Sequence, residues 1–493
     1  MYLFRTTERT RSKIRNALGE KELNILVVED DNEYIAIISE IIKKEAAESS
    51  IVICENKKDA LNKISEDYFD LILLDFSIPT EQDKIDESPA HGYAVFTSAR
   101  SMAPGTPIIV LTGSSGDDYF TDILDQSEKS DVWGGGLEIQ LVSFHQKHRL
   151  ETFKAKLKPY LINIKALNDI ELLKNDVHLS IEEDRILRIF SRSVSGVLCN
   201  LTKINGGLSG SKVFRVIVTA ENGATIHDSI GKIGSINSIR DEDQRYERYI
   251  LRLNPEATPR KLALLEHGAK NQAGIFYGLA NGYTLNAFSN EILLDNCENL
   301  VSCLKNLTAR WCVDQQGRRS IRDIRRHTLS DEKAEAIFTK FNLEWAQDFE
   351  SRTIQVHWGV SHGDLHGFNV LTSENGTPTI IDYGDTSDGP NSLDPMTLEF
   401  SLFFHPDGPL CNSTWPSAEQ AKKWYDLEFY LVECPYPEFI KYCRNWAKDL
   451  AVGNREISAV SYAYLIRQLG YSDVNQERGL ALLDGAKSYY SET

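Results

Sequence analysis

The sequence is short of three things, and each shortage closes off a class of protein. It has no long apolar run: "NILVV" (24–28) and "DLILLDF" (70–76) are among the strongest, far below the roughly 20 residues of a membrane-spanning helix. It has no C-x-x-C pair among its 8 cysteines, which fits free thiols in a reducing cytoplasm. It is short of positive charge, with 54 Lys and Arg against 72 Asp and Glu, a net charge of −18 and a pI near 5.2. That balance disfavours generic binding to nucleic acid or an anionic membrane. The opening "MYLFRTTERTRSKIRN" turns polar after four residues, unlike a secretory leader. No internal repeat or low-complexity tract is evident, and the N-L-T and N-S-T triplets read as ordinary surface.

What is there is an ordinary soluble composition, 41% hydrophobic and 26% charged, over 493 residues. That is too long for one core and suggests two to four domains. In the first 160 residues short apolar runs alternate with helical patterns. "NILVV" (24–28), "SIVIC" (50–54), "LILLD" (71–75), "PIIVL" (107–111) and "EIQLVSF" (138–144) read as buried strands. Between the first two, Tyr34, Ile38, Ile41 and Ile42 mark one helix face. Five such strands with intervening helices predict a doubly wound, flavodoxin-like parallel sheet, whose site lies at the carboxyl ends of its strands. There the sequence places Glu29 and Asp30 after the first strand, Asp75 at the third and Thr112 at the fourth. Three converging carboxylates repel one another unless a cation lies between them, and an all-oxygen donor set suits Mg²⁺. The plainer alternative is that these acids only cap the following helices.

This stretch resembles the receiver domain of bacterial response regulators, with "VVEDDNE", "LLDFSIP", "HGY" and "PIIVLTG" in family order. The resemblance implies that Asp75 is the phosphoacceptor, that Glu29, Asp30 and the Ser77 carbonyl hold the metal with it, and that Thr112 is the switch hydroxyl. Two features depart from the pattern. An acidic insertion, "TEQDKIDESPA" (80–90), lengthens the loop beside Asp75. The family's lysine after the fifth strand has no clear counterpart: counting back seven from Leu150 gives Ser143, and Lys147 serves only if the loop is remodelled.

Residues 161–195 read as a helical linker, in which Ser180 and Glu183 form a capping-box pattern ahead of "RILRIF". It is either a passive spacer or the element that carries a receiver signal. Beyond it, "INGGLSGSKVFRVIV" (204–218) is a glycine-rich turn entering an alternating strand. Gly206, Gly207, Ser209, Gly210 and Ser211 are candidates to let backbone amides approach phosphates, although many hairpins look similar. Lys232, mid-strand in "SIGKIGS", needs a phosphate or carboxylate partner. In the next helix Ile239, Tyr246, Ile250 and Leu253 share one face with Glu242, whereas Glu247 lies about 100° away. Glu242 is therefore the better partner for Lys232, the alternative being a solvated acidic helix start.

The chemistry concentrates in "HGDLHGFNVL" (362–371) and "IIDYGD" (380–385). Asp364 and Asn369 are five apart, and Asn369 and Asp382 thirteen apart, the spacing of a kinase catalytic loop and its metal-binding aspartate. One carboxylate, Asp364, would accept the proton of the attacking hydroxyl. Asn369 and Asp382 would hold Mg²⁺ with hard oxygens. With "HGDLH", "GGLSGSKVFRV" and "IDYGD", residues 196–493 resemble the aminoglycoside phosphotransferase and choline kinase branch of the kinase-like fold. The resemblance implies a loop-structuring His362, a more peripheral His366 and an Asp394 that buttresses the loop. "HGFN" replaces the branch's frequent "HPGN". Trp424 and its aromatic neighbours read as core.

The expected architecture is thus an α/β receiver (1–160), a helical linker (161–195) and an α+β, bilobal kinase-like domain with its sheet lobe at 196–290 and its helical lobe at 291–493. The expected function is a cytoplasmic, receiver-regulated ATP- and Mg²⁺-dependent phosphotransferase acting on a hydroxyl of an unknown small molecule or protein. A histidine kinase or other signalling protein would meet the receiver, a homodimer could form through it, and the setting would be bacterial signalling or defence. The alternative is a nucleotide-binding scaffold without turnover. A transcriptional regulator is disfavoured because no basic recognition helix follows the receiver.

Overall fold

The computed structural model describes residues 23–113, 129–204, 211–253, 259–279, 285–289, 297–313, 315–373 and 376–492. The chain forms two compact units, Met1–Ile239 with Lys261–Gly278 and Arg240–Arg260 with Leu279–Thr493.

In the first unit β1 (Asn24–Val28), β2 (Ser50–Cys54), β3 (Leu71–Asp75) and β4 (Ile108–Thr112) are followed by a small ribbon of β5 (Lys129–Ser130) and β6 (Ile139–Gln140), then by β7 (Val142–Gln146). The parallel sheet has the order β2-β1-β3-β4-β7. Side chains alternate between its faces as a strand requires. Ile25, Val27, Leu71 and Leu73 pack with Ile38, Ile42, Phe153 and Leu157 from the helices Asn32–Glu45 and Leu150–Leu167. Leu26, Val28, Ile72 and Leu74 pack on the other face with Ala60, Ile64, Val95 and Phe96 from Lys57–Glu66 and Pro89–Met102. Two strands differ from the sequence reading. β2 is only half buried, because it is the edge of the sheet. The run 138–144 is divided, its first part pairing with β5 and the fifth sheet strand starting at Val142.

The stretch 161–195 does not form a separate linker. Residues through Leu167 complete the receiver's last helix. β8 (Glu171–Leu173) then adds in parallel to β9 (Leu198–Lys203), at one edge of a second sheet. That sheet continues through β10 (Lys212–Thr219), β11 (Thr225–Ser235), β12 (Arg260–Leu265) and β13 (Gln272–Gly278), in the order β12-β13-β11-β10-β9-β8. The helix Ile181–Ser193 begins with the expected capping box between Ser180 and Glu183. It buries Ile186, Leu187 and Phe190 against this sheet, the Phe190 ring stacked 3.8 Å from Phe276.

The same helix fastens the receiver. Arg185, fully buried, lies 3.1 Å from Asp70, the residue before β3. Asp70 also accepts from the Asn24 amide and the Tyr68 hydroxyl, at 2.9 Å each. The Arg192 guanidinium donates to the carbonyls of Trp133 and Asn163. Gly105 and the turn before β13 exchange backbone hydrogen bonds of 2.8 Å, between Gly105 N–H and Lys270 O and between Gly268 N–H and Gly105 O. Gly268, at φ +85°, has no room for a side chain, since a Cβ would stand 2.8 Å from the Val132 carbonyl. All these contacts belong to the N-terminal ends of the receiver strands, the end opposite Asp75.

The second unit is mainly helical, with short strands β14 (Leu285–Asn286), β15 (Gln316–Ser320), β16 (Thr353–Ser361), β17 (Val370–Thr372), β18 (Pro378–Ile380) and β19 (Ser387–Pro390). β16 lies between β15 and β19 and runs into the loop that begins at His362. Two buried ion pairs tie the helices. Arg325 meets Glu350 through two nitrogens at 2.8 Å, and Arg444 meets Glu399, which also accepts from Trp424 Nε1 at 3.2 Å. Trp424 is fully buried, so its aromatic cluster is core.

Breaking a buried pair from the side that keeps fewest partners costs most, about 3–5 kcal/mol when a charge is left unmatched. Asp70→Leu leaves Arg185 with only uncharged side-chain hydrogen-bond partners among the described residues, Asn168 and Tyr68. Arg185→Met leaves Asp70 with two donors. Urea unfolding should therefore show a larger loss for Asp70→Leu than for Arg185→Met, and the reverse order would refute this reading of the receiver anchor.

Candidate functional site

Two sites take shape, one in each unit. In the receiver, the strand ends bring Glu29, Asp30 and Asp75 together, each offering an oxygen within 4.8 Å of the others. Glu29 and Asp75 are buried and Asp30 is half-buried. Ser77 is exposed two residues after Asp75, and Thr112 is buried at the end of β4. The cation is Lys147, whose Nζ lies 2.8 Å from both Glu29 and Asp75. The expectation at position 143 fails for a structural reason. Ser143 is inside β7 with its hydroxyl 3.4 Å from that of Tyr160, while β7 runs on to Gln146. Lys147 follows it, with its amide donated to the Thr112 carbonyl at 2.9 Å.

Electrostatics agree with that geometry. Burial, then the Asp75 charge, pushes Glu29 up to about 7, against the pull of Lys147. Burial lifts Asp75 above the usual carboxylate range while Lys147 and the amides of Ser77 and Phe76 pull it down. Burial opposes the charge on Lys147, yet the two carboxylates hold its pKa above the ordinary lysine value. A crevice with more negative charge than one ammonium balances, lined by hard oxygens, fits a divalent cation.

In the second unit β16 delivers His362, Gly363 and Asp364. Asp394, in the first turn of the helix Leu393–Phe404, accepts from the amides of His362 (2.8 Å) and Gly363 (3.1 Å). Burial pushes Asp394 up to about 7 despite these two donors. His362 is fully buried, with Nε2 3.1 Å from the Ile381 carbonyl, and burial holds its pKa low. Asn369 donates its side-chain amide to the Asp364 carbonyl at 2.9 Å, and its own carbonyl accepts from the Ile381 amide at 2.9 Å. These links tie Asn369 to Asp364 and to Ile381, the residue before Asp382. Asp382 has φ +62°, a left-handed backbone that few non-glycine residues adopt. Because the Asn369 nitrogen is used on the loop, its side-chain oxygen is the end that suits a cation.

Gly367 explains the "HGFN" departure. A Cβ there would meet the Phe288 ring at 2.2 Å, so the position belongs to ring packing. Phe288 and Phe368 are 5.6 Å apart edge to face. His366 stands 3.7 Å from Asp364 and 4.7 Å from the His405 ring. Burial brings both histidines down to about 4, so both are neutral near pH 7. Burial raises the pKa of Asp364 as well, opposed chiefly by Arg467. Arg467 escaped the sequence reading, since it lies about a hundred residues downstream in the helix Asn454–Leu469 with no motif around it.

The remaining candidates are distributed. Lys232 is buried in β11, opposite Val213 and Ile275. Glu242 is buried on the helix Ile236–Tyr249 and Glu247 is exposed, as the helix-face argument requires. Lys232 and Glu242 fall in different units. Ser211 is buried at the start of β10, with its hydroxyl 3.4 Å from that of Ser238. Gly206, Gly207, Ser209 and Gly210 lie outside the described residues.

No curated protein matches the chain. Among solved structures, a CheY-like receiver domain from Methanospirillum hungatei JF-1 is 21% identical, covering 30% of this chain and 99% of its own, with a TM-score of 0.23. The receiver domain of a sensor histidine kinase from Pseudomonas aeruginosa PAO1, with magnesium coordinated in its active-site cleft, is 17% identical over 29% of this chain and 98% of its own, with a TM-score of 0.21. A thermostable mutant of aminoglycoside phosphotransferase APH(4)-Ia, in a ternary complex with ADP and hygromycin B, is 15% identical over 58% of this chain and 93% of its own, with a TM-score of 0.31. Residues 25–130 match the family model of the response regulator receiver domain, and this part of the chain is a receiver domain.

Proposed function

We propose that the chain is a receiver-regulated, ATP- and Mg²⁺-dependent phosphotransferase that phosphorylates a hydroxyl of a small molecule or protein. The observation that carries this reading is the pair of hydrogen bonds, Asn369 Nδ2 to the Asp364 carbonyl and Ile381 N to the Asn369 carbonyl. They tie Asn369 to the backbone of Asp364 and to that of Ile381, next to Asp382, which supports reading these three as a base and two oxygen ligands. In the reaction the acceptor's hydroxyl oxygen bonds to the γ-phosphorus as the bond to the ADP oxygen breaks, and Asp364 takes the hydroxyl proton. Bound Mg²⁺ would offset the phosphate charge and align its oxygens. Asn369 and Asp382 would hold it, Asp394 keeps the loop backbone in place, and Lys232 paired with Glu242 would align the phosphates. The turn 206–211 would supply amides to them.

At the receiver, Asp75 would attack the phosphorus of a small phosphodonor or phosphohistidine, whose leaving group departs. Glu29, Asp30 and the Ser77 carbonyl would hold the cation. Lys147 would balance the new phosphate, and the Thr112 hydroxyl would turn toward it. The cellular setting would be signalling or defence in the cytoplasm. The helix Ile181–Ser193 joins the receiver to the six-stranded sheet, and we assign it the transmission of the receiver state.

Asp364→Ala should lower ATP turnover about 10²–10⁴-fold, the usual contribution of a general base, and leave Mg·ATP binding nearly unchanged. Asp382→Ala should weaken that binding too. Calorimetry with radiolabelled-ATP turnover in cell extract checks both. Wild type that binds no nucleotide, or an Asp364→Ala variant with full turnover, would end the proposal. Binding without turnover would give the scaffold instead.

Lys232→Ala should impair turnover, with Glu242→Ala resembling it more closely than Glu247→Ala does. A larger loss from Glu247→Ala would reverse the assignment.

Acetyl phosphate with Mg²⁺ should place an acid-labile phosphate on wild type and none on Asp75→Asn, and chelation should prevent it. Turnover or solution mass should then differ between the phosphorylated and unphosphorylated chains, with ATP affinity unmoved. Unlabelled wild type, and identical turnover and mass throughout, would make the receiver a docking module.

A further inference from the structure

The phosphotransferase reading leaves one charged group beside the catalytic loop without a role. Arg467 keeps only 18% of its side chain exposed, and its Nη2 lies 3.6 Å from Asp364 and 3.7 Å from Asp385. Its Nη1 donates to the Gly363 carbonyl at 3.3 Å, and its Nε faces the Tyr471 hydroxyl at 3.5 Å. One guanidinium thus spans the residue before the base, the base itself and the acid three residues beyond Asp382. A planar fork with five donors can hold such a set in one geometry, whereas a lysine ammonium supplies charge at a single point.

The other groups facing Asp364 do not duplicate this contact. His366, 3.7 Å away, is neutral near pH 7. Asp382 and Asp385 repel Asp364. Asp394 is spent on the amides of His362 and Gly363, so it fixes the loop from the side of the backbone alone. Gly363 has φ +81°, and a Cβ there would stand 2.7 Å from the Asp385 carbonyl. The loop and the 382–385 turn are therefore packed backbone to backbone, with Arg467 linking their side chains.

We propose that Arg467, steadied by Asp385, is a positioning residue for phosphoryl transfer, fixing the Asp364 carboxylate and supplying its countercharge. This rests on the phosphotransferase reading above. Placement matters because a misalignment of about 1 Å at a reacting group can cost on the order of 10²-fold in rate. The contacts of Arg467 run to Gly363, Asp364, Asp385 and Tyr471, on the side of the base, so its loss should appear in turnover and not in nucleotide binding.

The test is steady-state consumption of Mg·ATP by the full chain, with Mg·ATP affinity by calorimetry and melting temperature as a folding control. Arg467→Ala should lower kcat about tenfold or more while KM for ATP and the calorimetric Kd stay unchanged. Arg467→Lys should recover part of the loss, and guanidinium ion at concentrations below those that unfold the protein should partly restore Arg467→Ala. Asp385→Asn, at a side chain 60% exposed, should give a smaller fall in kcat, again with Kd unmoved. An unchanged kcat in Arg467→Ala, or a loss matched by weaker ATP binding and untouched by guanidinium, overturns the inference. If Arg467→Ala does not fold, Asp385→Asn decides it: an unchanged kcat there overturns it as well. Wild type without turnover overturns the phosphotransferase reading itself, a result distinct from an active wild type that is indifferent to Arg467.

Discussion

A carboxylate taken out of water must be met by donors or by a cation, and this requirement organises the molecule. Asp70 is met by Arg185, Tyr68 and an amide. Glu350 and Glu399 are met by arginine forks. Asp394 is met by the backbone amides of His362 and Gly363. In these four places the acid is matched and the result is a joint. At the two candidate sites the match is incomplete: Glu29 and Asp75 share one lysine with Asp30 beside them, and Asp364 faces an arginine beyond direct hydrogen-bond distance. Incomplete matching of buried acids is how a fold keeps room for a cation or a proton.

The contrast between Asp394 and Asp364 shows the same rule around one loop. Asp394 is fully engaged by amides that cannot leave, so it fixes geometry. Asp364 keeps 32% of its side chain exposed and can exchange partners. The two carboxylates thus differ in what their donors are, and only the second is open to a new partner.

Much of this was legible in the sequence, for reasons that can be named. The receiver strands were readable because β1, β3 and β4 are buried on both faces and appear as unbroken apolar runs. β2 was misjudged because an edge strand with the same composition is half exposed. Glu242 was distinguished from Glu247 because helical periodicity maps directly onto burial. Asp364, Asn369 and Asp382 could be singled out as candidates because they lie at short, fixed spacings along the chain. Lys147 was not, since the count from Leu150 assumes a loop length that β7 does not keep. The joining of 171–193 to the six-stranded sheet was hidden because the three-residue β8 is too short to leave a periodic signal. Arg467 was hidden because its partners are distant in sequence.

The position of the receiver anchor limits how a phosphate on Asp75 could be sensed. Asp70 and Asp75 lie at opposite ends of β3, five residues and hence about 16 Å apart at strand rise. Two added charges acting over that distance at an effective dielectric near 20 amount to roughly 2 kcal/mol before screening. With a Debye length of about 8 Å, screening along any solvent path lowers this to a few tenths. About 1.4 kcal/mol is needed to change an equilibrium tenfold. The field of the phosphate is therefore too weak at the Arg185 anchor to act as a switch by itself. A receiver signal that reaches the helix Ile181–Ser193 has to travel as a packing change, through the buried side chains of β3 and β4 and the two helix layers that clasp them. Close-packed interiors suit that route, because they yield between discrete arrangements and not by degrees.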